Sequence, residues 1–515
     1  MTQSNRMLLR GLAMLSWLPL AAWAGPTTRT DTGLVEGQRD GTVDRYLGIP
    51  FASPPTGENR WRAPRPAAAW SGTRDASRFG PSCPQALTPK GFGPWTPEYV
   101  IQGTVDEDCL TVNVWTPADR RGKRAVLVWI YGGGFNSGGS SVDIYDGRAL
   151  SAQGIVVVSL NYRVGLHGFL SHPEAAGNAG LLDQVAALQW VQRNIAAFGG
   201  DPKQVTIAGQ SAGAASVHHL IASPLAKGLF QRAIAQSGSG MGIPVADRTA
   251  AEASGVAYVS KLGARNLSEL RAMSAADLEA ADARLPRDGG PLRFAPAVDG
   301  TLLPSAAFID ANTNDVPLLT GMTSSEGTGL NPAYGRATPE SFAAEVRKTY
   351  GPLAPALLAH YAVHDDATAN AALDALGRER GLASMTLWAR QRLARSRQPL
   401  YVYLWTHAEP GPESGRYKAF HSSEIPYVFG RLDAPGRVFS DADRALSRQV
   451  SAQWVRFVKT GNPNGPGLPR WPRYTKTGAR LLGIDVETRP REALPGEILQ
   501  LFERHAAAGG QLGIL

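Results

Sequence analysis

Val205-Thr206-Ile207-Ala208-Gly209-Gln210-Ser211-Ala212-Gly213-Ala214-Ala215-Ser216-Val217-His218-His219-Leu220-Ile221-Ala222 changes character at Gly209. Val205 to Ala208 is a short apolar run and reads as a buried strand. Ala214 to Ala222 has the apolar pattern of a helix. Between them lies G-x-S-x-G, the pattern of a sharp strand-to-helix turn. A β-carbon two residues before or after the serine would clash where the chain doubles back. Such a turn lifts the Ser211 hydroxyl off the sheet edge. The following helix offers unsatisfied N–H groups and the positive end of its dipole, so the Ala212 N–H can face a developing oxyanion. A glycine-rich turn around an ordinary serine would need neither the strand before nor the helix after.

The same alternation extends outward. Ala125 to Tyr131 (AVLVWIY), Ile155 to Leu160 (IVVVSL) and Arg232 to Gln236 read as strands. Leu181, Leu182, Val185, Leu188, Val191 and Ile195 recur at helical spacing until Gly199-Gly200-Asp201-Pro202 breaks the pattern. Strand and helix in alternation predict a mostly parallel sheet with helices on both faces. In the second half Leu318 to Thr323 and Leu400 to Thr406 look like strands. Residues 366–396 look like a helix, and 264–285 are helical with weak patterning. Pro81 to Thr104, rich in Pro and Gly, reads as a long surface loop carrying Phe92, Trp95 and Tyr99.

A length of 515 residues suggests two or more domains on size alone. Residues 1–24 read as a signal peptide, with Arg6 and Arg10, an apolar run from Leu12 to Ala22 and a cleavage pattern at Ala22-Trp23-Ala24. The run is short for a bilayer span, and an uncleaved anchor is the alternative. The expected mature chain starts at Gly25 and is exported, to the periplasm or beyond, with no stable membrane anchor. Removing residues 1–24 takes two arginines and no acids from the formal charge of +8, leaving +6. The basic residues are scattered rather than clustered with aromatic platforms, which argues against nucleic-acid binding. Only two cysteines are present, Cys83 and Cys109. In an exported chain they suggest one disulfide, worth roughly 3–4 kcal/mol for a loop of this length. Two buried thiols are the alternative. Too few ligands lie nearby for a metal site.

Acyl transfer through a serine needs N–H donors for the tetrahedral oxygen, a histidine base and an orienting carboxylate. Gly132-Gly133-Gly134-Phe135 follows the strand ending at Tyr131, and Gly133 and Gly134 are the expected donors beside Ala212. Chain order in this type of fold runs serine, acid, histidine. That leaves His360, His364, His407, His421 and His505 as bases. His421 is favoured by its loop, Ala419-Phe420-His421-Ser422-Ser423-Glu424. Glu326, just after the strand at 318–323, is the favoured acid.

These residues carry a resemblance to type-B carboxylesterases, the family of cholinesterases and bacterial p-nitrobenzyl esterases. It rests on Tyr46-Leu47-Gly48-Ile49-Pro50-Phe51-Ala52, Arg60-Trp61, Glu107-Asp108-Cys109-Leu110 and Tyr131-Gly132-Gly133-Gly134-Phe135. Asn161-Tyr162-Arg163, the run from Gly180 to Pro202, Gln236-Ser237-Gly238 and Gly461-Asn462-Pro463-Asn464 extend it over nearly all the mature chain. The resemblance implies an α/β-hydrolase fold in one domain, residues 25–515, with a large, mostly parallel central sheet flanked by helices. It implies a catalytic triad of Ser211, Glu326 and His421, a Cys83–Cys109 disulfide, and a small-molecule ester as substrate with no cofactor or metal. Ser237 and Glu424 resemble supporting polar residues of the triad, though ordinary hydrogen-bonded polarity explains them as well. Where cholinesterases carry glutamate before the nucleophile, this chain has Gln210, which weakens any preference for cationic esters. Trp95 lies in the loop of the choline-binding tryptophan, but its spacing fixes no alignment with it, and simple loop packing is the alternative. The expected function is a serine carboxylesterase. The rivals are a specialised esterase for feruloyl, mycotoxin or carbamate esters, and a non-catalytic cholinesterase-like adhesion protein. Asn266-Leu267-Ser268 is a glycosylation sequon only in a glycosylating host. Oligomeric state has no signature in the sequence.

Overall fold

The computed structural model describes residues 25–238, 245–285, 294–305, 313–476 and 478–513. The expected signal peptide, residues 1–24, lies outside them. One eleven-stranded sheet organises the chain. Its strands are β1 (Gln38–Asp40), β2 (Val43–Pro50), β3 (Thr111–Pro117), β4 (Arg124–Ile130), β5 (Val156–Leu160) and β6 (Gly200–Gln210), followed by β7 (Arg232–Gln236), β8 (Leu318–Thr323), β9 (Leu400–Trp405), β10 (Arg480–Ile484) and β11 (Arg489–Glu492). Their spatial order is β1-β2-β3-β5-β4-β6-β7-β8-β9-β10-β11. From β5 through β10 neighbours run parallel; β11 at one edge and β1, β2 and β3 at the other run antiparallel.

The apolar runs form strands here because helices cover both faces of the parallel region, so no alternation with polar residues is needed. Residues 156–160 are all buried, as are 318–323 and 400–405. The principal flanking helices are Ala179–Asn194, Ala212–Ala222, Asp366–Arg395 and Asp441–Thr460. The weakly patterned 264–285 stretch resolves into Leu267–Ala272 and Ala275–Arg284, each started by a side chain, Asn266 and Ser274, that accepts a backbone N–H. A smaller apolar cluster, including Phe342, Val346, Leu357 and Phe502, joins the helices beyond β8 to the C-terminal helix Gly496–Ala507.

The strand order has a switch at β4. The chain leaves β4 toward β5 on one side, and β6 returns to pair with β4 on the other. Parallel sheets bind ligands at the carboxyl ends of strands beside such a switch, where the outgoing connections part. The loop after β4 is Gly132-Gly133-Gly134, and the residue after β6 is Ser211. Sheet topology therefore brings the two glycine-bearing turns of the sequence together. Cys83 and Cys109 are bonded to each other and fully buried. The loop they close is not simply a surface loop: Trp95, Tyr99 and Ile101 are buried, and they form one wall of the cavity described next. Among the described residues no helix is long and apolar enough to cross a membrane.

Candidate active site

Ser211 sits between β6 and the helix Ala212–Ala222 with φ +58° and ψ −123°, a conformation L-residues rarely adopt. The glycines around it are required by contact. A β-carbon on Gly209 would lie 2.5 Å from the Gly213 backbone, and one on Gly132 would lie 2.9 Å from Ser211 Cβ. Phe135, Ser237 and Ser422 also have positive φ. They follow the glycine loop, β7 and His421, so strained backbone gathers at this end of the sheet, as it does at functional sites generally.

Glu326 opens the short turn after β8, and its Oε1 accepts the Thr323 N–H at 2.8 Å. Its other oxygen faces Nδ1 of His421 in a short hydrogen bond. Backbone bonds bring the two loops together: Ser325 N–H donates to Ala419 at 3.1 Å, and Ser325 bridges to Phe420. Both side chains are buried. Two of the other candidate histidines face other carboxylates. His407 lies between Asp443 and Asp485, and His360 faces Glu379. Burial pushes the Glu326 carboxyl upward, but the His421 charge and hydrogen bond outweigh it and hold Glu326 below its ordinary range. Burial likewise lowers His421, and Glu326, with a contribution from Glu424, outweighs it and raises the imidazole above 6.5. Glu424, buried between Gln236 and Tyr403, is pushed up to about 7 by burial and by the Glu326 charge.

A base must be neutral to accept a proton, so with His421 in that role activity falls as pH drops through its raised value. The acidic limb of kcat/KM against pH is expected to have its midpoint above 6.5, read with an uncharged p-nitrophenyl ester. A midpoint at or below 6.5 would contradict the electrostatics just described.

The glycine loop leaves its donors open. Among the described residues the N–H groups of Gly133, Gly134 and Ala212 donate to no protein acceptor, and Gly133 is exposed. Gly132 to Gly134, Ser211 and His421 line one cavity of 880 Å³, with Phe92, Trp95, Tyr99, Leu330 and Ser422 among its other walls. No Asp or Glu lines it among the described residues, whereas Arg380 and His505 do. Also among the described residues, no cluster of three or more His, Cys, Asp or Glu could hold a metal ion.

The chain matches the model of the carboxylesterase family over residues 24–500. It belongs to that family. It is 36% identical over 509 residues to the fumonisin B1 esterase of Sphingopyxis macrogoltabida, covering 91% of this chain and 90% of that one. It is also 36% identical over 480 residues to the para-nitrobenzyl esterase of Bacillus subtilis (strain 168), covering 89% and 94%. The protein is a carboxylic ester hydrolase with an α/β-hydrolase fold, and the non-catalytic alternative falls.

Three features had no signal in the sequence. Trp95 donates to the Ser422 hydroxyl at 3.3 Å, tying the disulfide loop to the residue after His421. Tyr99 donates to Glu409 at 2.7 Å, and Arg437 bridges Glu409 and Glu98, which anchors the same loop from the other side. Gln210, read only as a missing charge, has its amide nitrogen 3.0 Å from His421 Nε2. The Ser211 hydroxyl makes no hydrogen bond among the described residues.

Proposed function

We propose that this carboxylesterase works through an acyl-serine intermediate, with Ser211 as nucleophile, His421 as general base and Glu326 as its orienting acid. The observation that carries this reading is His421, paired with Glu326, sharing a cavity with Ser211, Gly133 and Gly134, while among the described residues the N–H groups of Gly133, Gly134 and Ala212 have no protein acceptor. His421 Nε2 takes the Ser211 proton as Oγ bonds to the ester carbonyl carbon. The carbonyl oxygen becomes an oxyanion held by the three N–H groups. The ester C–O bond then breaks, and the leaving alcohol takes the proton from His421. Water repeats the sequence in the second half, releasing the acid and restoring Ser211. Glu326 keeps the proton on Nδ1 and stabilises the imidazolium.

Residues 25–515 form a single domain in this reading, and 1–24 are a signal peptide lost on export. The buried disulfide supports an oxidising compartment.

The substrate class is neutral small-molecule esters. Among the described residues no carboxylate lines the cavity and Gln210 is an amide, so a cationic alcohol group meets no opposite charge there. A second reading, action on fumonisin B1 or a kindred ester, is favoured by the match to the Sphingopyxis enzyme along both chains. Reaction with a neutral organophosphate, followed by peptide mass mapping, tests the mechanism: the label should fall on Ser211 in folded protein and abolish turnover. A panel of esters that includes a choline ester, its uncharged 3,3-dimethylbutyl isostere and fumonisin B1 tests the substrate class. The isostere should be hydrolysed at least as well as the choline ester. A strong preference for choline would overturn the class, and an unlabelled Ser211 would overturn the mechanism.

A further inference from the structure

The amide of Gln210 occupies the place where the nucleophile's hydrogen bond should be. Glu326 takes the proton-bearing Nδ1 of His421, which leaves neutral imidazole with one lone pair, on Nε2. That lone pair faces the Gln210 amide nitrogen at 3.0 Å, and amide N–H is the donor that fits it. The side chain of Gln210 is buried, and its backbone is fixed in β6 against Gln236 of β7. Ser211 is the next residue, so the two groups that want the lone pair leave adjacent positions of the same chain.

We propose that Gln210 is a positioning residue: its amide holds the His421 lone pair in the free enzyme, Ser211 must displace it to be deprotonated, and its neutrality limits how strongly the site favours imidazolium. The proposal rests on His421 being the base.

Two consequences separate this from simple packing. An sp² nitrogen accepts one good hydrogen bond, so amide and hydroxyl compete, and each moment with the amide bound is lost to deprotonation of Ser211. After proton transfer Nε2 becomes a donor, which the amide N–H₂ cannot bond, and the side chain must rotate to offer Oε1 instead. In the orientation observed, Gln210 therefore stabilises the neutral base over its conjugate acid. The charged groups acting on His421 from the surrounding elements are Glu326, after β8, and Glu424, on its own loop. A carboxylate at 210 would be a third, placed directly at Nε2, and would reverse the preference.

The test compares wild type with Gln210→Glu and Gln210→Met, each checked for an unchanged melting transition. Methionine keeps an unbranched side chain of similar length and removes the donor without adding charge. In Gln210→Glu the acidic limb of kcat/KM for an uncharged p-nitrophenyl ester should move up by about one pH unit or more, the expected scale for a carboxylate within about 4–6 Å. In Gln210→Met, labelling of Ser211 by a neutral organophosphate on the pH plateau should be roughly three- to tenfold faster, the scale of one neutral hydrogen bond released. A limb in Gln210→Glu that coincides with wild type overturns the proposal. So does a labelling rate in Gln210→Met at or below wild type, and this second variant decides the matter if the first does not fold. Neither outcome touches the assignment of His421 itself, which is tested separately by the activity and pH profile of His421→Ala.

Discussion

Ser211→Ala will lower kcat by about a million-fold and leave the melting temperature close to wild type. The size follows from the proposed role of Ser211 as nucleophile in a group of residues that act as a unit, where loss of one member costs nearly as much as loss of all. The unchanged stability follows from the turn. Alanine keeps the β-carbon, so it keeps the strain of φ +58°, ψ −123° at this position. Ser211→Gly makes the complementary case. It is equally inactive, yet it has no β-carbon to hold in that conformation. Strained positions of this kind cost about 1–3 kcal/mol, offset here in part by glycine's freedom in the unfolded chain. Ser211→Gly is therefore expected to melt above Ser211→Ala by a few degrees, measured by calorimetry on both proteins. Equal melting temperatures would mean that the turn stores no strain. Residual turnover in Ser211→Ala near wild type would mean that another residue attacks the ester.

The parts of the fold that could be read from the sequence are those whose burial writes itself into consecutive residues. β5, β8 and β9 are covered on both faces, so Val-Val-Val-Ser-Leu, Leu-Leu-Thr-Gly-Met-Thr and Leu-Tyr-Val-Tyr-Leu-Trp stand out as apolar runs. The edges do not have this property. β1 is Gln-Arg-Asp and fully exposed, and β11 is Arg-Pro-Arg-Glu, so neither has an apolar face for a pattern to report. They exist because a neighbouring strand offers backbone partners. β10 is short and begins with an exposed arginine. Length alone reads as two or more domains, because it carries no record that one sheet runs from β1 to β11 through most of the chain.

The site divides along the same line. The Ser211 turn and the glycine loop are local, so their geometry is encoded in adjacent residues. Glu326 and His421 are 95 residues apart, and what joins them is a set of backbone bonds between two loops. Physics of the sequence could rank them among several acids and histidines, and the resemblance was needed to choose. The disulfide loop shows the limit most clearly. Its Pro and Gly content reads as surface, yet Tyr99 is drawn inward by Glu409, 310 residues away, and Trp95 by Ser422. No local pattern marks a loop whose partners lie at the other end of the chain.

Glu326→Gln should lower kcat by about 10⁴, the loss expected when an orienting carboxylate becomes an amide. His421→Ala should lower it by about 10⁶. The difference comes from a hydrogen-bond constraint. Glu326 uses one oxygen for the Thr323 N–H at 2.8 Å and the other for His421 Nδ1. A glutamine can satisfy Thr323 only with its single oxygen, so its N–H₂ must face Nδ1. His421 then accepts at Nδ1 and carries its proton on Nε2, the nitrogen that should receive the Ser211 proton. The base remains in place in the wrong tautomer, and a minor population of the correct one sustains residual turnover. The substitution also removes the charge that, against burial, raises His421. Its imidazolium is less stable, so the acidic limb of Glu326→Gln should lie at lower pH than that of wild type. In His421→Ala the limb should vanish, because the group that titrates is gone. Parallel pH–rate profiles of the three proteins with one uncharged ester decide the matter. A limb in Glu326→Gln at or above the wild-type midpoint would break the electrostatic link between the two residues, and a persistent limb in His421→Ala would place the base elsewhere.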